Sequence, residues 1–302
     1  MGDGQRRIGM ALSYPLFFAA YLVTIIIGMI VALLVTVGWK DMWLRKTLAS
    51  AKYNVVYLVI LGGLPLLIQA LDILETRKPV DPSSVVYTNW IFQLSGEAIR
   101  IVQERLNYLA VQDFFIVVYV WVFTFITYFC PVLLLVRDDR VTLRRYAVAM
   151  LLNYIVLLPF YVFFPVAVSG STPESGMQPT LYVSTNWGKM VTSVDPLNNN
   201  FPSGHVSLMV ATFLVFYLAG PLYKRFYAFL AASTFAIAFA VLYLGIHWPP
   251  DVFAGFVIGV ATAVISGSPK VQLTIDRYVR TVSSWILRES EDSTVPPKLA
   301  SP

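Results

Sequence analysis

The chain alternates between long stretches without a charged side chain and short polar connectors. Seven runs lack Asp, Glu, Lys and Arg: Tyr14–Val37, Tyr53–Leu71, Phe114–Val136, Tyr146–Val168, Gly204–Tyr223, Phe226–Leu244 and Val252–Pro269. Each approaches or exceeds the roughly 20 residues that a bilayer requires. In hydrocarbon a single run satisfies its own backbone only as a helix. The pattern therefore predicts an all-α integral membrane protein, a bundle of six or seven transmembrane helices. Pro65, Pro159 and Pro165 are expected to kink or end their helices. The first run is too long for the apolar part of a signal peptide and reads as a retained span.

One stretch has a different period. Ile91, Leu94, Ala98, Val102, Leu106 and Leu109 recur at helical spacing, with Gln93, Glu97, Arg100, Gln103, Glu104 and Asn107 between them. A helix with one polar face, lying at the membrane interface, is the expectation. The tail after Arg288 is polar and is expected to be disordered. The chain then divides into N-terminal transmembrane helices (1–75), an outer loop with the interfacial helix (76–112), a helical core (113–270) and a polar tail (271–302).

Composition agrees with the pattern. Apolar residues make up 57% of the chain and charged ones 13%, and the mean hydropathy is +0.68. A soluble surface needs more charge. The net charge of +5 is modest, and its placement is more informative. With seven spans, one side holds Arg6, Arg7, Arg77, Lys78, Arg100, Arg105 and Lys189; the other 15 of the 22 Lys and Arg residues fall on the opposite side. Excess positive charge marks that opposite side as cytoplasmic. A cell-membrane protein with a cytoplasmic C-terminus follows. Cys130, the single cysteine, sits in an apolar run, cannot form an internal disulfide and reads as a small buried hydrophobe.

Chemistry concentrates in two outer connectors, and these hold both histidines of the chain. One reads Asn198-Asn199-Asn200-Phe201-Pro202-Ser203-Gly204-His205 and the other Gly245-Ile246-His247-Trp248-Pro249-Pro250-Asp251. Pro202 at a first helical position would leave the N–H groups of Ser203, Gly204 and His205 pointing outward, an anion site to which Gly204 gives close access. Pro250 would start the next helix and put Asp251 in its first turn, within reach of His247. A carboxylate on one ring nitrogen fixes the tautomer and leaves the other nitrogen free as nucleophile or base. Two histidines permit one to attack phosphorus and the other to protonate the leaving oxygen.

These residues resemble the type 2 phosphatidic acid phosphatase superfamily over roughly residues 110–268. Pro202-Ser203-Gly204-His205 matches its second motif, and His247-Trp248-Pro249-Pro250-Asp251 the His-x-x-x-Asp end of its third. The resemblance implies His247 as the nucleophile that becomes phosphohistidine, Asp251 as its orienting partner and His205 as acid and then base. It also implies phosphate binding by Ser203 and Gly204, with no metal and no other cofactor. Two family features are missing. The Lys-x6-Arg-Pro first motif is not found, and Val241 stands where the third motif usually has Arg. A dianionic phosphate still needs counter-charge. Among the outer cations Arg77, Lys78, Arg100, Arg105 and Lys189, Lys189 is nearest in sequence and is the candidate.

The stretch Asn153-Tyr154 through Phe164-Pro165, followed by Asp195, Asn199 and Phe201-Pro202, is similar to the inositol phosphorylceramide synthase-like branch. Asp195 and Asn199 would there shape the loop or serve an acceptor. The implied activity is a lipid-phosphate phosphatase or phosphotransferase acting on a lipid phosphate or phospholipid, with no nucleic-acid partner. The alternative is a non-enzymatic membrane module, such as a flippase or scaffold.

Overall fold

The computed structural model describes residues 13–75, 83–95, 97–193 and 197–292. Every regular element among them is helical, apart from one isolated bridge between Val166 and Asn199. The helices are α1 (Tyr14–Thr36), α2 (Leu44–Tyr53), α3 (Val55–Glu75), α4 (Ser83–Ser95), α5 (Ala98–Arg105), α6 (Leu109–Val117), α7 (Phe123–Val136), α8 (Arg140–Phe163), α9 (Thr185–Thr192), α10 (Gly204–Leu218), α11 (Lys224–Tyr243), α12 (Pro249–Ser266) and α13 (Pro269–Asp292). A π-helical turn, Val118–Val122, joins α6 to α7 in one continuous span.

Among the described residues, six helical stretches are long and apolar enough to cross a membrane. They carry exposed Val23, Ile26, Ile27, Val59, Leu66 and Phe235, a surface that only lipid can cover. The seventh run is shorter than expected: α10 has 15 residues, below the bilayer requirement. Its position offsets its length, because α8, α11 and α12 surround it. Two glycines make one of these contacts close. A Cβ at Gly255 would lie 2.5 Å from the Ser203 carbonyl oxygen, and one at Gly259 would lie 2.6 Å from that of Ser207. Small residues four apart let α12 lay its backbone against α10. Asn153 of α8 donates to Thr262 Oγ1 of α12 at 2.7 Å in the same buried layer.

Pro65 and Pro159 lie inside continuous helices, and Pro165 follows the end of α8. Three expectations need correction. The amphipathic stretch is not one helix: it breaks between α4 and α5 and again before α6. Gln103, read as part of the polar face, is buried; its side chain donates to Gln178 O (3.0 Å) and Tyr243 O (2.8 Å) and accepts from Gln178 N (2.8 Å). These bonds clamp α5 to the 169–183 loop and to the end of α11. The polar tail also begins later than expected. α13 runs to Asp292, and Asp276 on it pairs with Arg144 and accepts from Tyr57 Oη at 3.1 Å. Residues 293–302 lie outside the described residues.

Candidate active site

The His247 loop is built for close backbone approach. Gly245 has φ +74°, and a Cβ there would meet the Gln178 carbonyl oxygen at 2.7 Å. Only glycine takes that conformation without cost. The N–H groups of Ile246 and His247 both donate to Val241 O (3.0 and 2.9 Å). From the other side, Gly170 N donates to Gly245 O (2.8 Å) and Ser169 Oγ to His247 O (3.3 Å). Val241, which stands at the expected arginine position, is fully buried and serves this loop through its carbonyl.

α12 begins at Pro249 with Trp248 as its N-cap. Asp251 occupies the third helical position, where its Oδ2 accepts from Trp248 N at 2.9 Å and favours the helix start. The same oxygen faces His247 Nδ1 at 3.3 Å. His247 is 3% exposed and Asp251 0%. Asp251 Oδ1 has no hydrogen-bond partner among the described residues. A carboxylate beside Nδ1 favours the tautomer of His247 that carries its proton on that nitrogen.

The second histidine arrives on α10. Ser203 is the N-cap and accepts from Val206 N at 3.4 Å. Pro202 therefore precedes the cap and does not occupy the first helical turn. Ser203 N donates to Asp251 O at 3.0 Å, so this N–H is not free for an anion, contrary to the expectation. It joins the two motifs through the backbone instead. Gly204 and His205 have no backbone acceptor for their N–H groups among the described residues. The Tyr161 hydroxyl lies over Gly204, 2.5 Å from where a Cβ would stand, and donates to Pro202 O at 3.3 Å.

The His205 ring lies between Tyr119 (4.6 Å between centroids) and Phe123 (4.5 Å), the residues at the π turn, and 6.1 Å from the His247 ring.

Lys189 is exposed on α9 and does not line the cavity at His247. Arg100 does, together with Phe92, Ser175, Met177 and Trp248. Its guanidinium donates to Glu97 (2.8 Å) and Glu104 (2.6 Å). These carboxylates, Glu97 foremost, raise its pKa above the ordinary value. Gly176, at φ +64°, leaves the space that the Arg100 side chain crosses. Asn199 donates to Asp72 Oδ1 at 2.9 Å and bridges to Val166, which fits the loop-shaping expectation. Asp195, Arg77 and Lys78 lie outside the described residues. Tyr119, Phe123 and Ser169 carried no sequence signal of a site role, because their positions arise from contacts between distant segments; Tyr161 stood only within the stretch similar to the inositol phosphorylceramide synthase-like branch.

No curated protein matches the chain. The crystal structure of Aquifex aeolicus LpxE is similar to it with a TM-score of 0.46 and 20% identity, covering 57% of this chain and 94% of that one. Residues 142–268, which hold Ser203, Gly204, His205, His247 and Asp251, match the family model of the PAP2 superfamily.

Proposed function

We propose that this protein is a membrane lipid-phosphate phosphatase that works through a phosphohistidine. The observation that carries the reading is the buried His247–Asp251 pair with the His205 ring facing it at 6.1 Å; the match to the PAP2 superfamily supports it. The Asp251 carboxylate holds the proton on His247 Nδ1 and leaves Nε2 with its lone pair. That nitrogen attacks phosphorus. The P–O bond to the lipid breaks, and protonated His205 gives its proton to the leaving oxygen. His205 then takes a proton from water as the water oxygen attacks the phosphohistidine, releasing phosphate and restoring His247. The steps use no metal or other cofactor.

The Gly204 and His205 N–H groups, at the start of α10, bind the phosphate oxygens. Arg100 supplies counter-charge from the facing cavity wall, the phosphate displacing one of its two carboxylate partners. Lys189 is too peripheral for that role in this reading. Residues 113–270 form the catalytic core and residues 1–75 the N-terminal transmembrane helices. The site faces outward and the C-terminus is cytoplasmic.

The test is a panel of lipid phosphates offered to detergent-solubilised protein with and without a lipid alcohol. Phosphate release independent of the alcohol, with an acid-labile phosphoryl-enzyme absent from His247→Ala, is the expected result. Turnover that requires the alcohol would assign a head-group phosphotransferase instead. Full activity in His247→Ala would remove the mechanism, and no turnover of any lipid phosphate by the parent protein would favour a non-enzymatic membrane module.

A further inference from the structure

The opposite end of the bundle holds a second polar site. A cleft of roughly 610 Å³ opens where α1 and α7 end and α2 begins. Arg45, Lys46 and Arg137 line it. Two acids, Asp41 and Asp139, line it as well, but Asp139 is engaged: its Oδ1 accepts from Thr142 N at 3.1 Å and its Oδ2 from Tyr223 Oη at 2.8 Å. Three cations thus face two carboxylates, and the oxygens of Asp139 are already taken up by Thr142 N and Tyr223 Oη. The Arg137 guanidinium is fixed in place. It donates to Thr36 O, lies 5.7 Å from the centre of the Tyr223 ring, and keeps a buried Nε without an acceptor among the described residues.

The remaining wall is apolar. Val37, Val136 and Leu222 come from the ends of membrane-length segments. α2 beside it carries exposed Leu44 and Leu48 after exposed Trp39 and Trp43, the mixture of aromatic, apolar and basic residues that settles at a headgroup boundary. A fixed guanidinium with two exposed cations suits a phosphate, and the apolar wall at the bilayer edge suits the chain attached to it.

We propose that this cleft binds the phosphate of an anionic phospholipid in the leaflet opposite the histidines. The site is separate from the proposed catalysis and needs no turnover to be detected. The experiment is native mass spectrometry of the detergent-solubilised protein titrated with phosphatidylglycerol or phosphatidylcholine. Phosphatidylglycerol should be retained in preference. Each cation removed should weaken that retention about fivefold, as expected for one charge near a headgroup. Arg45 and Lys46 are exposed on α2, so Arg45→Gln with Lys46→Gln should lose the preference without loss of thermal stability. Arg137→Lys, which keeps the charge but loses the planar fork, should weaken retention less than the double Gln variant does. The pair Lys224→Gln and Arg225→Gln, outside the cleft, should keep it. Equal loss in that outside pair would overturn the proposal, since general surface charge would then suffice. Displacement of the lipid by millimolar inorganic phosphate would overturn the lipid assignment.

Discussion

The N-terminal helices and the α8–α12 unit solve different problems with similar composition. Only 6% of the apolar window of α3 is buried, against 39% of that of α8. Gly62 and Gly63 of α3 face open space, whereas Gly255 and Gly259 of α12 lie against the α10 backbone. Lipid surrounds the first region and tolerates many side chains of similar hydropathy. In the second, protein meets protein, and the close α10–α12 contact is what allows Ser203 N to reach Asp251 O and brings the two motifs together. Apolar composition places a helix in the bilayer; backbone proximity places His205 beside His247.

The contrast can be broken at four points. The largest effect is expected at His247→Ala, where phosphate release should fall by about a thousandfold or more; a smaller fall in single-turnover assays would mean that another group attacks phosphorus. Next, Gly255→Ala forces a methyl against the Ser203 carbonyl. It should cost about 1–3 kcal/mol in detergent unfolding and lower kcat together with stability. An unchanged melting temperature would show that α10 and α12 can separate freely.

Arg100→Gln should raise KM about tenfold, the loss of one charge-assisted contact, with kcat nearly intact and partial recovery in Arg100→Lys. If KM does not move, the counter-charge comes from elsewhere. The smallest effect is expected at Gly62→Ala, within about 0.5 kcal/mol of the parent and without effect on activity. A strong loss there would mean that α3 is packed more tightly than its exposure indicates, and the contrast between the regions would fail.

Much of the fold was legible because hydrocarbon imposes a simple rule on long charge-free runs. All seven predicted runs contain a helix, and the His247–Asp251 spacing foretold one side chain facing the other. The exceptions have local causes. α13 carries Lys270, Asp276 and Arg277, so its charge density hid a helix that docks through Asp276. Gln103 looks like a surface residue, and its burial depends on carbonyls 75 and 140 positions away. Pro202 reads as a first helical residue, but the Ser203 hydroxyl caps the helix and starts it at Gly204. Arg100 read as one of several outer cations, because its proximity to His247 depends on how α5 is clamped.

The π turn at Val118–Val122 has a consequence for how the third span is interpreted. An α-helix advances about 100° per residue, and a π turn holds one residue more than the α-helical turn it replaces. The stretches on either side of it are therefore out of phase by about that angle. One 3.6-residue pattern drawn through Leu109–Val136 would assign the wrong faces to one half. The phase step falls where the span meets the His205 ring, with Tyr119 in the π turn and Phe123 just after it lying against the imidazole.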